Sequence, residues 1–253
     1  MTKIFYFSGT GNTLWSAKKI AELTNGDSEL FNIGVEMRKA AEPIEADRVI
    51  VLFPAYAYQS PLLVRHFLVR SEIRSPYIAV LTTFGTDPGG ALAEAHRIFK
   101  RKKMEVSYFA SIPSVENYVP LFGPQSEETK RRRLVLQKSA TEEIAGDILR
   151  GKTNSVWTLR PFSICTSSLF RLVKSFFVKA FEVRASCNGC GICARICPAA
   201  NITIEGLRPV FSSHCEQCQA CLNWCPRRAI GYLRFDPDRS QYHHPEVTVS
   251  EMF

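Results

Sequence analysis

Along the first 150 residues, short apolar runs alternate with segments whose apolar positions recur at helical spacing. The run Lys3-Ile4-Phe5-Tyr6-Phe7 predicts a strand, and 12–23 predicts a helix with Leu14, Ala17, Ile20 and Ala21 on one face. A buried strand is expected at 48–53, a helix at 62–69, a strand at 77–84, a helix at 90–100 and a strand at 104–112. The last helix of this stretch has Ser126 as its cap, Glu127 and Glu128 in its first turn, and Gly151 just past its end.

Alternation of this kind, with five strands in all, predicts an α/β fold: a doubly wound parallel sheet over 1–151, with ligands bound beyond the carboxyl ends of its strands. Functional side chains are therefore expected in the loops after the first, third and fourth strands. From 152 to 184 the pattern changes to an apolar, basic connector with a helical stretch at 169–179. Residues 185–235 are cysteine-rich, and 236–253 shows little periodicity and two prolines, which predicts an extended strap or a loose end.

Eight of the nine cysteines fall between 187 and 225. Cys187, Cys190, Cys193 and Cys197, followed by Pro198, have the spacing C-x2-C-x2-C-x3-C-P, and Cys215, Cys218, Cys221, Cys225 and Pro226 repeat it 28 residues later. The duplication predicts a small α+β module with pseudo-twofold symmetry. Three closely spaced thiolates can hold three corners of a 4Fe-4S cubane from one loop, while the fourth cysteine, turned away at the proline, serves the other cluster. The expected sets are Cys187, Cys190, Cys193 and Cys225 for one cluster, and Cys197, Cys215, Cys218 and Cys221 for the second. Zinc sites join two cysteine pairs across a longer spacer and have no use for the third cysteine. Residues 185–234 resemble bacterial-type ferredoxins with two 4Fe-4S clusters at all eight ligand positions.

Between the first strand and the first helix lies Ser8-Gly9-Thr10-Gly11-Asn12-Thr13. Small residues there let backbone N–H groups converge on an anion at a helix N-terminus, with hydroxyls and an amide as further donors. No lysine stands where a nucleoside triphosphate loop needs one, and Leu14 occupies the place of the last glycine of a dinucleotide fingerprint. Ser8-x-Thr10-Gly11-x-Thr13 is similar to the flavodoxin signature, in which such a neutral cradle holds the FMN phosphate. Together the two halves resemble the flavodoxin/ferredoxin fusion proteins of anaerobic bacteria over residues 1–235. That resemblance implies a flavodoxin-like sheet of order 2-1-3-4-5, FMN bound by Ser8, Thr10, Gly11, Asn12 and Thr13, and an isoalloxazine flanked by two loops. Pro54, Ala55 and Tyr56 (with Tyr58 behind them) belong to one loop; Thr83, Phe84, Gly85, Gly89 and Gly90 belong to the other. Asn117 and Tyr118, after the fifth strand, could reach the same mouth.

Composition changes this picture little. The formal charge is +8 with a pI near 9.1, but residues 151–184 alone hold 6 basic and 1 acidic side chain. Two oxidised clusters at about −2 each and a flavin phosphate at about −1.5 to −2 would cancel most of it. The charge therefore does not point to nucleic acid, and no nucleic-acid-binding signature accompanies it. Acidic redox proteins are the expected partners, and basic surroundings would raise the flavin potential above that of an acidic flavodoxin. No apolar run is long enough to span a bilayer, the first residues lack a signal-peptide layout, and the expected compartment is the cytoplasm. The expected function is one-electron transfer between the clusters and FMN, linking a low-potential donor to a partner protein. The alternative is an FMN-dependent reductase of a small substrate fed through the clusters.

Overall fold

The computed structural model describes residues 1–24, 26–118, 123–156, 180–233, 238 and 241–253. The helix expected at 169–179, Cys165, Val119-Pro120 and Asp236-Pro237 lie outside the described residues. The first part runs β1 (Thr2–Tyr6), α1 (Asn12–Leu23), β2 (Ser28–Asn32), α2 (Ile33–Glu36), β3 (Ile44–Glu45), β4 (Arg48–Pro54), α3 (Leu62–Arg70), β5 (Ile73–Arg74), β6 (Tyr77–Phe84), α4 (Ala91–Arg101), β7 (Tyr108–Pro113) and α5 (Glu127–Leu149).

Five strands form one parallel sheet in the order β2-β1-β4-β6-β7. Numbered within the sheet this is 2-1-3-4-5, the expected flavodoxin-like order, with a switch point between the first and third strands. Val49 to Phe53 of the central β4 are fully buried because helices cover both faces. The β2 edge is different: Leu30 is exposed, and its half-exposed pattern offers no apolar run to the eye. β7 begins at Tyr108 rather than 104, since Lys103 turns the chain at φ 56 and pairing starts only after Ser107 N–H bonds to the Ile78 carbonyl. α5 starts as expected: Ser126 Oγ accepts the Thr129 N–H. It ends in a Schellman motif, with Gly151 N–H on Ile148 O and Lys152 N–H on Asp147 O.

The second part contains β8 (Phe181–Val183), α6 (Ile192–Arg195), β9 (Ile202–Glu205), β10 (Arg208–Phe211), α7 (Ala220–Asn223) and β11 (Ile230–Tyr232). β8 pairs with β11 and β9 with β10, so each half-repeat lends a strand to the other. The unit reaches back to Phe181, into the segment read as connector. The 28-residue repeat extends to backbone detail. Asn201 N–H points to Cys197 Sγ and Ala229 N–H to Cys225 Sγ, each at 3.3 Å, and Ala200 and Arg228 have φ 49 and 48.

The two parts share one apolar core. Cys218, Ala220 and Trp224 pack with Ile4, Phe7 and Leu14, and Trp224 Nε1–H donates to Gly9 O at 3.0 Å. The tail is a strap that bridges both. Gln241 donates to Leu222 O and Cys225 O, and His243 stacks on Trp224, while His244 stacks on Trp15 and donates its N–H to Thr10 O.

Candidate functional site

A cavity of about 370 Å³ opens at the carboxyl ends of β1, β4, β6 and β7. Four loops and one outside residue build it. Ser8, Gly9, Thr10, Asn12 and Thr13 supply one wall, Pro54, Ala55, Tyr56 and Tyr58 the second, and Thr83, Phe84 and Gly85 the third. Ser114 to Tyr118 close a fourth side, and Gln217 enters from the cysteine-rich part. Of the expected residues, Gly11, Gly89 and Gly90 do not line the cavity.

Those three glycines shape it from behind. Gly11 sits at φ 91 as the N-cap of α1, letting the chain turn into the helix beneath His244 and Val247 of the strap. Gly89, at φ 57, lies against Tyr58, where a methyl group would come within 2.4 Å of the Tyr58 Cβ. Gly90 N–H bonds to Tyr58 O. The loop they brace is strained: Ala57 and Tyr58 both have positive φ, forming a two-residue turn closed by Tyr56 and Gln59.

The first loop is arranged for an anion. Ser8 Oγ accepts from Gly11 N–H and Leu14 N–H, which curls the loop over the start of α1. Thr10 Oγ1 is held by Asn117 Nδ2 at 2.7 Å and Thr13 Oγ1 by Thr83 Oγ1 at 2.8 Å, so the hydroxyls are fixed by the neighbouring loops. The first-turn amides of Asn12 and Thr13 have no protein acceptor among the described residues, as expected at a helix start. Among the described residues no lysine or arginine lines the cavity, whereas Asp87 and Glu116 do.

Two cavity-lining polar atoms, Tyr56 Oη and Gln217 Nε2, are buried without a partner among the described residues. Burial, then the charges of the Cys218, Glu216 and Glu116 side chains, push the Tyr56 hydroxyl well above its ordinary pKa, so it stays a neutral donor. Neutral donors at a helix N-terminus, aromatic walls and orphan polar atoms at the far edge fit a flat aromatic ligand with a phosphate tail, as FMN is.

The cysteines gather in two groups. Burial raises the Cys193 thiol to about 11, and the neighbours that add to this are Cys190, Cys225 and Cys187. Burial also raises the Cys221 thiol, and the charges of Cys218, Cys215, Cys197 and Cys193 add to it. Among the described residues no three His, Cys, Asp or Glu side chains converge on a point for a single ion. Thiolates at the corners of a cubane do not converge in that way, so the donor set fits a cluster. Cys190 is exposed, whereas Cys197, Cys218 and Cys221 are buried. The second group therefore faces the body of the protein and the first faces outward.

Sequence reasoning did not find Glu116, Gln217 or Glu216. Glu216 lies beneath the cavity, and its carboxylate takes the Leu62 and Leu63 N–H groups at 2.9 and 3.0 Å, capping α3 where Pro61 offers no side-chain cap. A signal for the last two exists: they replace Asn188 and Gly189 of the first repeat.

Comparison with protein-family models and with curated proteins gives no match. Among solved structures the chain is similar to a flavodoxin of Streptococcus pneumoniae, at 17% identity over 56% of this chain and 98% of that one, with a TM-score of 0.36. It is similar also to the two-electron reduced flavodoxin of Megasphaera elsdenii, at 16% identity over 56% of this chain and 99% of that one, TM-score 0.33. A flavoprotein in complex with FMN from Lactobacillus acidophilus matches at 15% identity over 44% of this chain and 91% of that one, TM-score 0.33. The fold assignment rests on the strand order of the chain itself, not on these likenesses. Among the described residues no helix is long and apolar enough to cross a membrane.

Proposed function

We propose that this chain is an electron-transfer protein that holds FMN in the cavity and two 4Fe-4S clusters on the two cysteine sets, and passes single electrons between them. The observation that carries the reading is a point of contact: the loop with Cys215, Cys218 and Cys221 packs on the Gly9 loop and sends Gln217 into the cavity lining. A methyl group on Gly9 would lie 2.3 Å from the Cys218 carbonyl oxygen, and Gln217, between two ligands of that set, lines the cavity. FMN exchanges one or two electrons and each cluster exchanges one, so their contact makes a conduit.

The residues divide the work. Ser8, Thr10 and Thr13 with the first-turn amides of α1 hold the phosphate, while Tyr56 and Phe84 bound the ring and exclude water. Cys197, Cys215, Cys218 and Cys221 keep the inner cluster against the cavity, and Cys187, Cys190, Cys193 and Cys225 keep the outer one toward solvent and a redox partner. Backbone N–H groups at Cys197, Cys215 and Cys225 donate toward sulfur, which stabilises the more reduced cluster state.

The test is anaerobic reconstitution with iron, sulfide and FMN, then metal and flavin analysis and a redox titration. About eight iron atoms and about one flavin per chain are expected, with flavin and cluster signals titrating in one-electron steps. Zinc in place of iron, or no flavin retained, would overturn the reading. A single two-electron flavin step would turn it to the small-substrate reductase.

A further inference from the structure

The repeat makes the two cysteine loops comparable position by position. Cys187-Asn188-Gly189-Cys190-Gly191-Ile192-Cys193 is matched by Cys215-Glu216-Gln217-Cys218-Gln219-Ala220-Cys221. Gly189 and Gly191 both have φ 71, a left-handed conformation in which glycine is at ease. Their counterparts Gln217 and Gln219 hold the same conformation at φ 57 and 60, where an L side chain is strained. Cluster binding does not explain the glutamines, because the first loop presents the same cysteine spacing with glycines. What differs is the surroundings: the second loop abuts the cavity.

Gln217 is 2% exposed and its side chain lines the cavity. Its Oε1 accepts the Tyr232 hydroxyl at 2.8 Å and lies 3.5 Å from Gln219 Nε2. With Oε1 fixed, Nε2 is the free end of the amide, and it has no partner among the described residues. A buried donor left without an acceptor is costly, and the cavity is where an acceptor can come from. The backbone N–H of the same residue lies 3.3 Å from Cys215 Sγ.

We infer that Gln217 is a ligand-binding residue whose Nε2 donates to an acceptor on the cavity's occupant, a carbonyl oxygen or unprotonated ring nitrogen of the kind a flavin ring carries. One residue then touches both redox centres, its backbone at the inner cluster and its side chain at the flavin. The inference rests on the flavin reading above.

Gln217→Gly restores the residue of the first loop and relieves the strained backbone, but it also takes the acceptor from the buried Tyr232 hydroxyl. Gln217→Glu keeps the shape and the bond from Tyr232 but loses the donor. In both variants, loaded with their full iron content, FMN binding measured by fluorescence should be about tenfold weaker. In Gln217→Gly the flavin potential should shift while the cluster potentials stay, since the N–H to Cys215 survives. Wild-type FMN affinity in either variant would overturn the inference alone. An unaltered protein that binds no FMN would overturn the flavin reading, and this inference with it.

Discussion

His244 shows how one side chain can tie acidity to the strap. It is almost fully buried, stacked on Trp15 with ring centroids 4.9 Å apart, and its Nδ1 accepts the Glu246 N–H. Burial lowers its pKa from 6.5 to about 4, against the raising effect of Glu246, while His243 and Lys18 add to the lowering. Between those two values the unfolded chain takes up a proton that the folded chain refuses, so stability is retained at neutral pH and falls as pH drops. From about pH 7.5 to about pH 5.5 this residue should cost about 1 kcal/mol of unfolding free energy. His244→Phe keeps a ring on Trp15 and removes the titration, so urea midpoints at the two pH values should lie closer together in the variant. An unchanged difference would assign the acid sensitivity elsewhere. None of this was legible in the sequence. A histidine in a tail without periodicity gives no sign of the tryptophan more than two hundred residues earlier that buries it.

At the scale of elements, the most informative contact is between a loop of one part and a helix of the other. α3 begins after Pro61 with two amides that its own sequence cannot satisfy, and Glu216 satisfies both. A carboxylate there gains from two charge-assisted hydrogen bonds and from the helix dipole. Glu216→Ala should destabilise the protein by about 2 kcal/mol, and Glu216→Gln, with one acceptor and no charge, by less. Equal midpoints for all three proteins in denaturant would mean that water serves the helix as well as Glu216 does. The elements themselves were largely readable: β1, α1, β4, α3, β6, α4 and α5 announce themselves by apolar period, by the Ser126 cap and by Gly151. β2 was not placed, because an edge strand exposing Leu30 has no buried face to imprint on its sequence. The three cavity loops were found because parallel topology dictates where they must be. Gln217 and Glu216 escaped because their partners come from the other end of the chain, although the departure from the first repeat marks both positions.

For the whole molecule, the question is which parts can stand without iron. The unit from Phe181 to Leu233 has two short two-stranded ladders and a small core around Leu222, Ile230 and Tyr232, too little to offset its chain entropy unaided. Most of the shared core comes from the sheet of β1, β2, β4, β6 and β7 and its helices, so that part should persist without metal. The strap is divided between them. Gln241, Tyr242 and His243 hold Leu222, Asn223 and Trp224, but Tyr242 also gives its hydroxyl to Asn12. From His244 onward most anchors are in the first part, namely Thr10 O, Trp15, Lys18 and the main core through Val247 and Met252, while the Phe253 ring lies under Arg195 of the second part. Removing iron with a chelator under anaerobic conditions should therefore release residues 181–233 to rapid amide exchange and leave the sheet protected, with a boundary in the strap next to His244. FMN binding should weaken in the same preparation, because the wall that Gln217 provides is lost with the loop. If amides of 181–233 exchanged no faster without iron, the cysteine-rich unit would be a self-supporting fold docked on the sheet. Its contact with the cavity would then not depend on its metal.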